Sequence, residues 1–294
     1  MIKGLVSVLC LSMNHEKYVG QCVSSIVNQS YRNIEILYAD NNSRDKSFEI
    51  ADQAFGKSGM SYKGFKRSES YGISQNLNFL LKQARGEYLA YISADDWWEP
   101  SHIEKKLLLF SIDPSYGMIY GNGYSYNDKT GEELLFFEKE QPSGNLFNYL
   151  LTGNKIPALS VFIRMDVMNT VGFFDEDSPV EDWELWLRIA EKYKIGYVST
   201  PAFHYRVGES NISNNLAYMN KGFAYVFKKY ADYPEIKEAK RNIAMGQAYQ
   251  LASRAPGWKS LFYILRRFQF NKQYVKHIVR CIAGMFGVRI PKSQ

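Results

Sequence analysis

Short apolar runs alternate with amphipathic stretches through the first hundred residues of this 294-residue chain. Each apolar run is bounded by turn-forming residues, which predicts buried strands at residues 5–11, 34–39, 60–65 and 88–93. Between them, apolar residues at helical spacing predict helices at about residues 17–29, after Ser43, and at about residues 73–83. This alternation predicts a parallel sheet with helices on both faces.

Carboxylates follow two of these predicted strands. Asp40 ends the second strand, and Asp95 and Asp96 follow the fourth. The carboxyl ends of parallel strands meet at one edge, where ligands bind in open α/β folds. Two adjacent carboxylates repel each other unless a cation lies between them, and Mg²⁺ or Mn²⁺ carrying a phosphate suits such a pair. The alternative is that the pair only caps the helix that Pro100 helps to open.

A second acidic pair precedes a helix with an apolar face. Trp183, Trp186 and Leu187 are spaced so that one face of the helix is buried, and Glu181 and Asp182 lie at its amino-terminal end. The helix dipole favours carboxylates there, so capping alone accounts for the pair. Upstream, further strands are predicted at residues 116–126, 134–137 and 158–164, with a turn at 127–131.

Several short motifs occur in a recognisable order. They are Val6-Ser7-Val8, Asn14, residues 25–31, Asn33-Ile34-Glu35, residues 40–43 with Asp45, Gly72, Asn78, Ala84, Gly86-Glu87-Tyr88 and residues 93–96. Over about residues 5–210 this series resembles the family 2 glycosyltransferases, which have the GT-A fold. The resemblance implies an α/β fold with a nucleotide-binding sheet. It implies a catalytic domain, residues 1–212, in which 1–100 would bind nucleotide sugar and 101–212 would hold the acceptor and the base. Beyond this domain, composition predicts a basic helical C-terminal extension, residues 213–294.

The resemblance also implies roles for individual residues. Asp40 would bind the nucleotide base, Asp95 the ribose, and Asp96 a divalent metal, Mn²⁺ or Mg²⁺. Asp182 would be the catalytic base, with Glu181 in support. The other expected donor-binding residues are Leu11, Met13, Asn14, Glu16, Asn42, Gly72, Asn76, Asn78, Ser93 and Arg206. The expected acceptor-binding residues are Trp97, Trp98 and Trp183.

Three of the expected assignments have structural alternatives. His204 would complete the metal or phosphate site, or would be a structural histidine bound to a backbone partner. Arg206 would pair with phosphate through its guanidinium, or with a surface acid. One of Trp97 and Trp98 is expected in the core, and the other against a sugar.

The chain departs from the family pattern at two places. Ser93 stands where the family often has the first Asp of Asp-x-Asp, and Met13 stands where it often has a tyrosine. Metal binding by Asp96 is expected to survive the first change. The second removes a stacking surface for the base, so the nucleotide stays open, with a UDP-sugar favoured.

The resemblance and the acids together predict a metal-assisted single displacement with inversion. A metal would neutralise the departing diphosphate, and a carboxylate would take the proton of the acceptor hydroxyl. A glycan or undecaprenyl-linked acceptor is expected, in surface polysaccharide assembly such as that of O-antigen or capsule. The alternatives are a glycosyltransferase-like subunit that binds nucleotide sugar without catalysis, and a sugar nucleotidylyltransferase. The latter needs a glycine-rich basic loop after the first strand, and residues 11–20 contain one lysine and one glycine.

Charge is distributed unevenly along the chain. Eleven Lys and Arg residues and no acid follow Glu238, which leaves a formal charge of −5 for residues 1–238 out of +6 overall. Because aromatic and aliphatic residues are interleaved with these cations, the tail is expected to lie on an anionic membrane, to pack on the catalytic domain, or to form a homodimer. The acidic body argues against nucleic acid as a partner.

Three further features of the sequence bear on localisation. The three cysteines have no metal-ligand or disulfide spacing. The chain begins without a signal pattern, and no apolar run is long enough to span a bilayer. We expect a protein of the cytoplasm, peripheral at the inner face of the plasma membrane.

Overall fold

A computed structural model describes residues 1–208, 211–254, 258–265 and 272–286. The chain forms two compact units. The first unit comprises Met1–Leu150 and Asn154–Val226, and the second comprises Leu151–Gly153 and Phe227–Gln294. Apart from residues 151–153, the predicted catalytic domain lies within the first unit.

The strands of the first unit build two sheets. They are β1 (Ile2–Ser12), β2 (Ile34–Asp40), β3 (Ser61–Lys66), β4 (Gly86–Ser93), β5 (Trp97–Trp98), β6 (Tyr116–Gly121), β7 (Tyr124–Asn127), β8 (Glu133–Leu135), β9 (Phe162–Arg164), β10 (Lys194–Val198) and β11 (Phe203–Val207). The helices of the described chain are α1 (Val19–Val27), α2 (Ser47–Lys57), α3 (Ile73–Leu81), α4 (His102–Ile112), α5 (Phe147–Leu151), α6 (Met165–Val171), α7 (Glu181–Lys192), α8 (Leu216–Lys229), α9 (Glu235–Arg254), α10 (Trp258–Leu265) and α11 (Lys272–Met285).

The larger sheet has seven strands in the order β10-β6-β9-β4-β1-β2-β3. Strands β1 to β4 run parallel, as the alternation of strands and helices predicted, whereas β9 is antiparallel to β4 and β6. The register places Asp40 opposite Ser12, and Ser93 opposite Leu11. The carboxyl ends of β1, β2 and β4 therefore lie along one edge, and the predicted α/β fold class is confirmed.

The core explains why these segments form strands and helices. Residues 5–10 of β1 are all buried, because the central strand of such a sheet is covered on both faces. Helix α1, within the helix predicted at about residues 17–29, buries Val19, Cys22, Val23 and Ile26. Burial of this stripe against the sheet stabilises a helix of only nine residues, which would be marginal alone.

The smaller sheet has the order β5-β11-β7-β8 and corrects one prediction. The strand predicted at residues 116–126 is interrupted at Asn122 and Gly123, where the chain passes from one sheet to the other. The Asn122 side chain bonds the backbone N–H and C=O of Phe137, at 3.0 and 2.9 Å. A Cβ at Gly123 would lie 2.3 Å from the Phe203 carbonyl oxygen, so the close crossing requires glycine.

The strand predicted at residues 158–164 is also shorter in the structure. Ala158–Ser160 form a 3-10 turn after Pro157, and only Phe162–Arg164 pair in the sheet. The turn arises because Ser160 N–H donates to the Pro157 carbonyl at 3.0 Å instead of to a neighbouring strand.

The second unit contains a small apolar cluster formed by helices α9, α10 and α11. Met245, Ala248, Leu261, Ile264 and Cys281 are its buried members. Within the described residues, no helix is both long enough and apolar enough to cross a membrane.

Candidate active site

The loops after β1 and β2 are bonded to each other at the carboxyl edge of the larger sheet. Asn14 has a φ of 58°, and its backbone N–H donates to Ser43 Oγ at 2.8 Å. Its side-chain oxygen accepts from Arg44 N–H at 2.9 Å. Asn42, with a φ of 60°, is exposed at the next turn. Asparagine tolerates this left-handed conformation better than most residues, which explains its use at both turns.

Asp40 is fully buried at the end of β2. One carboxylate oxygen accepts from Ser43 N–H at 2.8 Å, and the other accepts from the Ser43 hydroxyl at 2.5 Å. These bonds hold the carboxylate rigidly at the edge. Each carboxylate oxygen has a second lone pair, so each can accept one more bond.

The acid pair that follows β4, Asp95 and Asp96, is poorly neutralised. Asp96 is 5% exposed, and its Oδ1 accepts from Arg206 N–H at 2.8 Å. Burial and the neighbouring Asp95 raise the pKa of Asp96 well above its usual range. Asp95 Oδ1 is buried and has no hydrogen-bond partner among the described residues. A divalent cation fits such a pair, because it supplies both the missing charge and the missing ligand partner.

Arg206 on β11 lies beside these acids, and each of its guanidinium nitrogens has a partner. Nε donates to the Asp95 carbonyl at 2.8 Å, Nη2 donates to Gln21 Oε1 at 2.7 Å, and Nη1 donates to Asp128. The rings of Tyr18, Trp97 and Tyr126 surround it, with centroids 4.5, 4.8 and 5.2 Å away. Arg206 therefore positions Asp95 and Asp96 and balances part of their charge.

Glu181 and Asp182 open α7, and both are half-buried. Asp182 Oδ2 accepts from Asn154 Nδ2 at 2.8 Å, and Oδ1 accepts from Trp183 N–H at 2.6 Å. Burial raises the pKa of Asp182, and burial together with Asp182 raises the pKa of Glu181 to about 8. A carboxylate with a raised pKa is a better proton acceptor than an exposed one, so the pair suits general-base chemistry.

Tyr91 on β4 is close enough to this pair to feel its charge. Its hydroxyl is buried without a hydrogen-bond partner among the described residues. Burial, Asp182 and Glu181 raise the pKa of Tyr91 well above its usual value, so the phenol stays neutral. The site thus combines two acidic pairs, one at the strand ends and one at a helix start.

A family model described as Glycosyl transferase family 2 matches residues 7–169. The chain belongs to this family. The match spans the predicted donor half and the strand-end acids, and it ends before Glu181 and Asp182. Membership makes the protein a glycosyltransferase, as the order of its motifs indicated.

Two relatives illustrate the range of the family. An uncharacterized glycosyltransferase of Haemophilus influenzae is 28% identical over 213 residues, covering 72% of this chain and 82% of its own. WfgD of Escherichia coli, a UDP-Glc:alpha-D-GlcNAc-diphosphoundecaprenol beta-1,3-glucosyltransferase, is 27% identical and covers 72% of this chain and 80% of its own. Others are longer: the chain spans only 36% of an uncharacterized glycosyltransferase of Rickettsia felis.

Solved structures confirm the GT-A fold. TarS of S. aureus in complex with UDP-GlcNAc has a TM-score of 0.61 at 14% identity, covering 96% of this chain and 92% of that one. The mannosyltransferase PcManGT from Pyrobaculum calidifontis, in complex with GDP-Man and Mn²⁺, has a TM-score of 0.59 at 15% identity, covering 96% and 86%. At these identities the likeness concerns the fold.

His204 was expected to complete the metal or phosphate site. In this glycosyltransferase its ring nitrogens have other partners. Its Nδ1 lies 2.9 Å from Glu133 Oε1, and its Nε2 lies 2.6 Å from Glu99 Oε1. The ring stacks between Trp97 and Tyr124, at 4.5 and 5.1 Å. Because both nitrogens have carboxylate partners, His204 joins three segments of the smaller sheet, which corrects its assignment as a metal ligand. Arg206 uses three of its five N–H groups on protein partners, among them the acid Asp128, and its contact with a donor phosphate stays a prediction.

Three residues expected to contact substrate instead support the fold. Asn78 is buried; its Nδ2 donates to the Phe174 carbonyl and to Glu176, both at 2.9 Å, and its oxygen accepts from Phe174 N–H. Trp98 and Trp183 are 2% and 0% exposed. Their indole N–H groups donate to the carbonyls of Leu159 and Leu150. None of the three side chains can reach an acceptor or donor, which corrects these assignments.

The remaining predicted donor residues lie at or near the carboxyl edge. Leu11 and Ser93 lie opposite each other near the ends of β1 and β4, Met13 is 44% exposed beyond β1, and Glu16 accepts from Lys46 N–H. Gly72 opens α3, where its N–H donates to Gln75 at 2.9 Å. Asn76 is buried, and its side-chain oxygen has no partner among the described residues. Their contact with a donor stays a prediction, as does contact of half-buried Trp97 with an acceptor.

Two residues of the site had no signal in the sequence. Asn154 contacts Asp182, and Asp128 contacts both Arg206 and Tyr18. Both lie in polar loops, where Asn and Asp are ordinary turn formers. Only their contacts distinguish them from other loop residues.

Proposed function

We propose that this glycosyltransferase moves a sugar from a nucleoside diphosphate sugar, with UDP as the favoured nucleotide, to a hydroxyl of a glycan or undecaprenyl-linked glycan. The transfer is a metal-assisted single displacement that inverts the anomeric carbon. The observation that carries the proposal is the presence of two separate acid pairs, Asp95 with Asp96 and Glu181 with Asp182, in each of which burial raises the pKa of a carboxyl group. The first pair suits the binding of a divalent cation, and the second suits the acceptance of a proton.

The relatives support the choice of substrates. WfgD is named for a UDP-glucose donor and a diphosphoundecaprenol-linked acceptor, and TarS was solved with UDP-GlcNAc. These names favour a UDP-sugar donor and a role in cell-surface polysaccharide assembly for this chain as well. PcManGT, solved with GDP-Man and Mn²⁺, supports a divalent metal.

Asp96 and Asp95 are the residues that would hold the metal. Among residues 1–208, 211–254, 258–265 and 272–286, no group of three His, Cys, Asp or Glu side chains could bind a metal ion. The remaining ligands would therefore come from donor phosphates and water, as is usual for Mg²⁺. When bound, such an ion acts as a Lewis acid toward the diphosphate leaving group.

Asp182 supplies the base. Its carboxylate accepts the proton of the acceptor hydroxyl as that oxygen attacks the anomeric carbon. Glu181, with a pKa raised to about 8, holds a proton at neutral pH and so does not add a second charge beside Asp182. One base acting opposite one leaving group gives inversion without a covalent intermediate.

The second unit supports association with an anionic membrane surface. Helix α10 buries Leu261 and Ile264, helix α11 buries Cys281 together with His277 and Arg280, and each helix also has a row of exposed apolar residues. The exposed residues follow one another at helical spacing: Trp258, Phe262 and Leu265 on α10, and Val275, Val279, Ile282 and Phe286 at and just beyond α11. The surrounding sequence has eleven cations and no acid, which complements anionic lipid. We place the protein at the inner face of the plasma membrane.

A screen of nucleoside diphosphate sugars with Mn²⁺ or Mg²⁺ tests the function. The parent is compared with Asp96→Ala, Asp182→Asn and the surface control Asp166→Asn by thermal shift and by turnover with a lipid-linked acceptor. We expect one donor to stabilise the parent and the control only with metal. Asp96→Ala should lose that shift, and Asp182→Asn should keep it while losing turnover by about 10²-fold or more.

Three outcomes would contradict the proposal. If no donor binds with or without metal, the assignment of the strand-end acids is wrong. If Asp182→Asn turns over normally, another residue is the base. Retention of the product's anomeric configuration would also exclude the single displacement.

A further inference from the structure

Asn154 has a contact that its loop position does not require. Its Nδ2 donates to Asp182 Oδ2 at 2.8 Å, and its Oδ1 accepts from Ile156 N–H at 3.4 Å. The backbone N–H can only donate, so it selects the oxygen end of the amide and leaves the NH₂ group toward Asp182. The exposed side chain is thereby oriented as a donor to the carboxylate.

The loop that carries Asn154 is attached to α7 on both sides. Trp183 Nε1 donates to the Leu150 carbonyl at 2.8 Å, and Trp186 Nε1 donates to the Ile156 carbonyl at 3.3 Å. Both indoles are fully buried. Asp182 lies in the first turn of the same helix, so these bonds fix the distance between the loop and the acid.

The surroundings of Asp182 disfavour its charge. Glu181 is adjacent on α7, and Tyr91 on β4 and Tyr218 on α8 are near enough to feel the charge of the pair. None of these three groups is a cation. Burial raises the pKa of Asp182, whereas the hydrogen bonds from Asn154 and from the Trp183 backbone lower it. The Asn154 bond is a side-chain bond and can be removed by substitution.

We propose that Asn154 is a positioning residue for the catalytic base. It holds the Asp182 carboxylate in one orientation and favours its ionised form, the form that accepts a proton from the acceptor hydroxyl. This inference rests on the proposed role of Asp182. It adds to that role a loop residue that belongs to neither acid pair.

The variants Asn154→Ala and Asn154→Asp test the inference, with Asn148→Ala as the matched control. Asn148 is an exposed asparagine of α5. The acidic limb of the pH profile of kcat/KM should move up by roughly one pH unit in Asn154→Ala, because a donor to the charged form is lost. Asn154→Asp is nearly isosteric and adds a like charge, so its limb should move further.

Rescue by pH separates positioning from a structural defect. At pH values above the shifted limb, Asn154→Ala should recover most of its kcat, and donor KM should stay within about twofold of the parent. The Asp182 carboxyl is also titrated by ¹³C NMR, assigned with Asp182→Asn, so that ionisation is measured without turnover. We expect the same upward shift in that titration.

The outcomes distinguish this inference from the proposed function. An unchanged acidic limb and an unchanged carboxyl titration in a folded Asn154→Ala, with Asp182→Asn inactive, would overturn the inference alone. Normal turnover by Asp182→Asn would overturn the base assignment and the inference with it.

Discussion

At the residue scale, the polar side chains of the site divide by whether the fold already uses their hydrogen-bonding groups. Asn78 makes three hydrogen bonds to the segment before α7, and His204 has a partner at each ring nitrogen. Asp95 Oδ1 and Tyr91 Oη, in contrast, are buried without partners among the described residues. An unpaired buried polar atom costs about 1–3 kcal/mol, so such atoms are kept where a ligand can satisfy them.

Glu181 gives a prediction about pH and stability. Its pKa is raised to about 8 in the folded protein, above the 4.5 of the free side chain. A raised acid pKa means that the folded state holds the proton more tightly, so stability falls as pH rises from about the unfolded to the folded pKa. Glu181→Gln keeps a neutral side chain at every pH. It should raise the thermal midpoint by a few degrees at about pH 8 and leave it unchanged at about pH 4.

The measurement is calorimetric unfolding across that pH range, with Glu176→Gln as an exposed control that should show no pH-dependent gain. A gain of equal size at both ends of the range would mean that Glu181 ionises as it does in solvent. The same variant also bears on function, since stabilising substitutions at active sites commonly reduce activity.

At the element scale, the turn between β7 and β8 brings a third acid to Arg206. Asp128 accepts from Arg206 and, at 3.0 Å, from the Tyr18 hydroxyl at the start of α1. Asp95, Asp96 and Asp128 therefore form a group of three acids around Arg206, of which Asp128 contacts the guanidinium through its carboxylate. A donor diphosphate adds further negative charge to this group, so the turn opposes donor binding unless a cation is present.

Replacing Asp128 by Asn should strengthen donor binding. The variant keeps the shape and the bond to Tyr18 while removing one negative charge. We expect a nucleoside diphosphate to bind about threefold to tenfold more tightly at limiting metal, measured by calorimetry. Binding of the uncharged nucleoside should not change, which serves as the internal control. Weaker diphosphate binding would show instead that Asp128 is needed to hold Arg206 in place.

At the scale of the whole molecule, the chain has two units of different character. The first carries the sheet, the acids and the family match, and residues 1–238 have a formal charge of −5. The second has a small apolar cluster of its own and a set of large exposed apolar residues among cations. Exposed apolar groups of this size mark interaction surfaces more often than free surface.

The membrane role predicts a loss of vesicle binding when aromatic residues of α10 are removed. Trp258 and Phe262 are 75% and 57% exposed, so their replacement by Ala should leave the small core intact. We expect at least about tenfold weaker binding to vesicles containing phosphatidylglycerol. The control replaces Leu108 and Ile112, which are 60% and 69% exposed on α4 of the first unit.

The dependence of vesicle binding on salt and lipid composition distinguishes an anionic membrane from other partners. Binding to an anionic surface should weaken as salt rises and should be absent on phosphatidylcholine alone. Equal binding to both lipids would contradict the electrostatic part of the prediction. A concentration-dependent dimer in sedimentation that the Trp258 and Phe262 variant abolishes would assign the face to a second copy of the chain.

The sequence by itself determined the alternation of strands and helices, the GT-A fold and the position of the strand-end acids. Hydrophobic periodicity is local, and parallel connection then aligns strand ends along one edge, so Asp40 and Asp96 could be placed from their neighbours alone. The sequence also indicated Glu181 and Asp182, because they lie at the start of a predicted amphipathic helix. The strands between residues 116 and 164 were harder to predict. The apolar pattern is continuous there, whereas the strand is interrupted by tertiary hydrogen bonds such as those of Asn122 to Phe137.

Only the tertiary structure decided which of the predicted site residues are available to bind a ligand and which are engaged by the fold. Arg206 meets Asp96 across 110 residues of chain, His204 meets Glu99 across 105, and Asn154 meets Asp182 across 28. Hydrogen bonding depends on contacts within about 3 Å, and no local pattern encodes contacts between such distant segments. The same residue types that suggested ligands therefore became structural partners at Asn78, His204 and Trp183, while an ordinary loop asparagine came to lie against the proposed base.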